Sequence, residues 1–167
     1  GDHGMWTKHA NFDLALRTPL VIRAPGVLRG VVTDEIVESL DLAPTILELT
    51  GVAAPSDLGG ASLTPLLDDS RGAGRGFAVS QWTSAISLDP GPWFGESIRT
   101  GRWLYTEWRD RDGSLRARML YDHDDDPGET VNVAESTDRA VVDALSVQLR
   151  SVTGTAAQSA PAEEGDS

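Results

Sequence analysis

Apolar and polar positions change period along this chain, and the changes divide it into parts. Leu20, Val21 and Ile22 are consecutive apolar residues between Pro19 and Pro25, a pattern that predicts a short strand buried on both faces. In residues 39–51, SLDLAPTILELTG, the apolar positions move to helical spacing. Leu42, Ile46 and Leu49 fall on one face, Asp41 is placed to cap, Pro44 lies in the first turn and Gly51 closes the helix. A loop with Pro55, Gly59 and Gly60 then leads into a short apolar turn at residues 63–67.

From Gly76 the period becomes two. The runs GFAVSQW, GESIRTGRWLYTEWRD and SLRARMLYD read as strands with turns at Gly101 and at Asp112-Gly113, and the last two runs predict a hairpin around the Asp-Gly turn. Trp103, Tyr105 and Glu107 alternate with Leu104, Thr106 and Trp108, so both faces carry aromatic bulk. In residues 134–152, Val141, Val142, Leu145 and Leu149 form a helical stripe that predicts a cover for one side of this sheet. From Thr153 onward, GTAAQSAPAEEGDS has little to bury and reads as a disordered tail.

The expected organisation is an α/β piece over residues 1–70, an antiparallel-sheet-and-helix subdomain over 71–152, and a tail over 153–167. Before residue 70 only one strand is clear. A lone buried strand cannot close a sheet, so the fold is expected to draw its remaining strands from a catalytic part N-terminal to Gly1.

Composition narrows the partners. At 167 residues the chain suffices for one domain or a piece of a larger one, and its formal net charge of −12 argues against nucleic acid as a ligand. No apolar run approaches the length of a membrane span. The absence of cysteine removes a thiolate nucleophile and Cys-ligated zinc. An anionic substrate would therefore need a local positive group, and Lys8 is the one lysine among 14 basic residues. It lies in GDHGMWTKHANFDLALRTPL beside His3 and His9. An ammonium meets a tetrahedral oxyanion as a point charge and can donate a proton to it.

Three other groupings were weighed as chemistry. Asp2 beside His3 can ligate a hard cation or orient a base, and the same pair equally fits an exposed loop. The run Asp122, Asp124, Asp125, Asp126, Glu129 fails as a calcium loop, because Pro127 stands where glycine is required and Val133 where a bidentate glutamate is required. It reads as a turn. The aromatic set Trp82, Trp93, Phe94, Trp103, Tyr105 and Trp108 reads mainly as core, with Trp93 and Phe94, in a Pro-Gly-rich loop, the two placed to face a pocket.

The runs GDHGMWTKHANFDLALRTPLVIRAPG, VESLDLAPTILELTG, GGASLTPLL, SIRTGRWLYTEWRDRDG and LYDHDDDPGETVN follow one another in unbroken order. Together they resemble the C-terminal part of the type I sulfatases of the alkaline phosphatase superfamily, closest to the iduronate-2-sulfatase-like group. The resemblance implies a hydrolase of sulfuric esters on sulfated sugars or glycans, in which a formylglycine hydrate attacks sulfur while Ca2+ polarises the sulfate oxygens. Neither the C-x-P-S-R type motif that yields formylglycine nor the family's Asp-Asp metal pair occurs here. The chain is therefore expected to be inactive alone, with formylglycine and the calcium ligands upstream of Gly1.

The resemblance also assigns the opening residues. The family has two similar motifs in succession, a metal-ligating S-D-H-G and then L-G-[DE]-H-G leading into W-x-K, and the distance from Asp2-His3 to Trp6 and Lys8 matches the second. Asp2 and His3 are thereby taken out of the metal set, leaving no metal ligand in this chain. Lys8 matches the lysine that contacts the sulfate, and is expected to be catalytic and substrate-binding. His3 is expected to line the substrate pocket. The alternatives are a phosphodiesterase or phosphonate monoester hydrolase of the same superfamily, or a non-catalytic glycan-binding domain centred on Trp93 and Phe94.

Overall fold

A computed structural model of the chain describes residues 10–27, 30–68, 74–83 and 93–157. Its elements are α1 (Asp13–Leu16), α2 (Leu42–Leu49), α3 (Thr64–Asp68), β1 (Phe77–Thr83), β2 (Phe94–Thr100), β3 (Trp103–Arg109), β4 (Leu115–Asp122) and α4 (Arg139–Ala157). They form two compact units, one of residues 17–78 and one that joins the segment before residue 17 to residues 79–167.

In the larger unit the strands lie in the order β1-β2-β3-β4. β2 and β3 pair antiparallel with Ile98 opposite Tyr105 and Ser97 opposite Thr106, and β3 pairs antiparallel with β4 with Tyr105 opposite Leu120. The expected hairpin at Asp112-Gly113 is present. Gly113 holds φ +78°, and Asp110 accepts the N–H groups of Asp112 and Ser114 to close the turn. A register shift between Trp108 and Arg109 marks a bulge, after which Arg109 pairs with Leu115.

The period-two alternation puts Ile98, Tyr105, Glu107 and Leu120 on one face, where α4 packs through Val142, Leu145 and Leu149. Each of those three side chains contributes about 1.5–3 kcal/mol by burial. The helix starts at Arg139, later than the hydrophobic stripe suggested, because Asp138 first closes a turn by accepting the Ala140 N–H. It also continues to Ala157, into the segment expected to be disordered. Thr153 explains part of the extension, since its side chain is buried and its hydroxyl donates to the Leu149 carbonyl.

The opposite face, carrying Gly95, Ser97, Leu104, Thr106, Trp108 and Tyr121, is covered as well. Its cover is residues 10–16. The Phe12 and Tyr121 rings lie 5.7 Å apart, and a Cβ added to Gly95 would come within 2.8 Å of the Trp108 ring and 3.0 Å of Asn11 Nδ2. Glycine at position 95 lets this segment lie against the sheet. Cover on both faces explains why Leu104, Tyr105, Thr106 and Glu107 are buried in succession.

The unit of residues 17–78 departs from expectation at three points. Leu20, Val21 and Ile22 form no strand, and Val21 is 91% exposed. Their apolar pattern suits a strand flanked by others, and among the described residues nothing pairs with them. In α2 the buried side chain is Thr45, whereas Ile46 is 59% exposed. Asp41 precedes α2 in a 3-10 turn and does not cap it through its side chain. Its carboxylate instead accepts the N–H groups of Glu38 and Ala61, each at 2.8 Å, and pairs with Arg75, so it organises the loop around it. Thr45 continues that network by accepting the Leu63 N–H at 2.8 Å.

Candidate functional site

His3, Lys8 and His9 lie outside the described residues, as do Asp2 and the loop before Trp93. What is described is the segment that follows Lys8 directly and how it is fastened. Ala10 and Asn11 are buried, Phe12 lies against Tyr121, and the Asp13 N–H donates to Glu129 at 2.9 Å to Oε2 and 3.2 Å to Oε1.

Glu129 belongs to the acidic run after β4, where the sequence predicted a turn. The turn is there. Asp126 accepts the N–H groups of Thr130 and Val131 at 2.7 and 2.8 Å, and these bonds, that of Val131 foremost, hold its carboxyl below the usual range. Asp122 pairs with Arg102 at 2.6 Å, which lowers its pKa likewise. Glu129 is different, with its side chain buried and its backbone at φ +55°, the one non-glycine with positive φ among the described residues. That conformation costs on the order of 1 kcal/mol for a residue with a Cβ.

Glu129 and three other side chains form a ring that the Asp13 backbone N–H closes. His123 Nε2 lies 2.8 Å from Glu129 Oε1, His123 Nδ1 lies 2.8 Å from Arg99 Nη2, and Arg99 Nε lies 3.5 Å from Asp13 Oδ1. A guanidinium only donates, so Nδ1 of His123 is the acceptor and its ring proton is on Nε2, directed at Glu129. Burial raises the Glu129 pKa, partly offset by the Asp13 N–H and His123. The same surroundings push Tyr121 up to about 12, through burial first and then the charges of Glu129 and Asp126.

The remaining candidates fall apart from this ring. Trp93 is half-buried and its indole N–H has no acceptor among the described residues, while Phe94 opens β2 with its ring 42% exposed. Trp82 is in β1, and Tyr105 is core. Among the described residues no group of three His, Asp or Glu side chains is arranged to hold a metal ion. In the unit of residues 17–78, Asp41, Leu63 and Arg75 help line a small pocket of about 70 Å³.

Sequence reasoning did not find Arg99, His123 or Asp13, and it read Glu129 only as part of a turn. Asp13 and Glu129 are 116 positions apart, and no local period connects them.

A family profile described as N-sulphoglucosamine sulphohydrolase, C-terminal, matches residues 1–154. Arylsulfatase K of Rattus norvegicus is 29% identical over 154 residues, which cover 90% of this chain and 27% of that protein. Delta 4,5-hexuronate-2-O-sulfatase of Bacteroides thetaiotaomicron is 33% identical over 138 residues, covering 80% of this chain and 27% of that protein. A solved structure of a 2-O GAG sulfatase aligns with a TM-score of 0.55 and 29% identity, over 71% of this chain and 25% of that one. The chain thus spans 27% of the length of each of these two curated relatives.

Proposed function

The chain belongs to the sulfatase family whose N-sulphoglucosamine sulphohydrolase C-terminal profile it matches over residues 1–154, and on that premise we propose that it is the C-terminal part of a sulfuric ester hydrolase acting on sulfated sugars. The observation that carries the reading is the extent of the match, which takes in His3 and Lys8 and runs through the sheet and α4. The substrate class is supported by the relatives, of which one is named for 2-O-desulfation of a hexuronate. That name also agrees with the iduronate-2-sulfatase-like character of the sequence runs. In this reading residues 17–78 are the last piece of the main α/β domain, and the sheet with α4 is the C-terminal subdomain.

Lys8 is the residue of this chain that touches the substrate. Its ammonium faces the sulfate as a fixed cation, stabilises charge that grows on the departing ester oxygen, and can give that oxygen a proton. His3 lines the substrate pocket. Calcium and formylglycine are the groups the family implies. The described residues do not fit either one, since among them no group of three His, Asp or Glu side chains is arranged to hold the metal and the sequence has no motif of the formylglycine type. In the absence of those groups the chain alone is expected to hydrolyse nothing.

The experiment that tests the reaction class compares the full-length protein on 4-nitrophenyl sulfate and 4-nitrophenyl phosphate. The reading requires the sulfate to be the faster substrate in kcat/KM. A preference for the phosphate would assign the protein to the phosphoryl-transfer branch of the superfamily instead.

A further inference from the structure

We infer that Glu129 is a positioning residue for Lys8: the ring of Glu129, His123, Arg99 and Asp13 fastens the chain just after the lysine to the face of the C-terminal sheet. The inference rests on the reading that Lys8 contacts the sulfate.

Three observations meet at this residue. Both Glu129 oxygens are engaged, and each of them reaches the Asp13 N–H, at the first residue of α1. A carboxylate on a backbone N–H is among the stronger neutral-to-charged hydrogen bonds, and burial strengthens it further. The carboxylate is in turn oriented by His123, whose tautomer Arg99 sets, and Arg99 returns to the carboxylate of Asp13 itself. The segment is thus held at its backbone and at its side chain by groups from β2 and from the turn after β4. Finally, Glu129 occupies a backbone conformation in which glycine or asparagine would be less strained. The turn alone does not account for a glutamate there, and the grip on Asp13 does.

Chain geometry carries the effect to Lys8. Ala10 and Asn11 are buried under the same hold, and two residues of chain reach at most about 7 Å. Lys8 Cα therefore stays within that distance of Ala10 whatever path residues 8 and 9 take. Loosening the ring frees the anchor of the lysine without removing any atom that meets the substrate. Misplacement of a catalytic group by about 1 Å costs up to about a hundredfold in rate.

The test is a double-mutant cycle in the full-length enzyme, with 4-nitrophenyl sulfate as the probe and amide hydrogen exchange of residues 10–16 as a second readout. Glu129→Ala should speed exchange of the Asp13 amide and lower kcat by about ten- to a hundredfold, with KM little changed. Glu129→Gln, which keeps one acceptor oxygen, should fall between it and the parent, and it serves if the alanine variant does not fold. In a Lys8→Ala background, Glu129→Ala should lower kcat no further. An equal loss in both backgrounds, or unchanged exchange at Asp13, would overturn the inference and leave Glu129 a structural residue. Parent-like kcat in Lys8→Ala alone would instead show that the reading of Lys8 had failed, and the positioning role with it.

Discussion

Ser146 on α4 donates its hydroxyl to Oε1 of Glu107 on β3, and Tyr105 donates its own to the same oxygen at 2.8 Å. The carboxylate is completely buried and also pairs with Arg109. Burial alone would raise the Glu107 pKa. The hydrogen bonds from Ser146, Arg109 and Tyr105 outweigh it, and the carboxyl ends below its usual range.

The sign of the pH dependence follows. A folded-state pKa below the unfolded one means that Glu107 contributes stability at pH above the unfolded value of about 4.3, and that the contribution is lost as pH falls through the lower folded value. Glu107→Gln should cost about 1.5–3 kcal/mol at pH 7 and flatten the acid side of a plot of Tm against pH. A variant whose acid slope equals that of the parent would show that Glu107 does not carry it.

Gly95→Ala tests the second cover of the sheet. An added Cβ would meet ring carbons of Trp108 at 2.8 and 2.9 Å and the Asn11 amide at 3.0 Å, so the Trp108 ring and the Asn11 side chain must give way. We expect a loss of about 1–3 kcal/mol in urea denaturation, with faster amide exchange in residues 10–16. A neutral substitution would mean that Trp108 and Asn11 do not pack on Gly95 as described.

Leu149→Ala tests the first cover. The side chain is fully buried between α4 and the sheet, and its loss should cost about 2–5 kcal/mol with the cavity it leaves. Denaturation of the variant measures it directly, and a cost comparable to that of an exposed-surface change would contradict the packing described.

How much of this was legible in the sequence depended on the range of the interaction. The period of two gave β2, β3, β4 and the Asp-Gly hairpin, and the stripe of Val142, Leu145 and Leu149 gave the covering helix, because each pattern repeats within a few residues. Leu20 to Ile22 form no strand here for the opposite reason. A continuous apolar run records burial, and burial requires neighbours that the pattern itself does not contain. The cover supplied by Asn11 and Phe12, and the grip of Glu129 on Asp13, join positions more than eighty residues apart and leave no local trace. Lys8 is singled out by motif spacing and not by any periodicity, and it lies outside the described residues.

The exposed run yields a prediction of its own. Val21→Asp should change the stability of this chain by no more than about 0.5 kcal/mol, as expected of a surface site. In the full-length protein, where the proposed fold surrounds the run with other strands, it should cost about 3 kcal/mol or more, the penalty of an unpaired buried charge. Equal small effects in both would contradict the placement of residues 20–22 in the main sheet.

The central claim is that Lys8 meets the sulfate. Its most direct test is kcat/KM of the full-length Lys8→Ala enzyme on 4-nitrophenyl sulfate, read beside its melting temperature. The account predicts a fall of about a hundred- to a thousandfold, the scale for losing one charge contact in a transition state, with melting unchanged. Near-parental kcat/KM would contradict it.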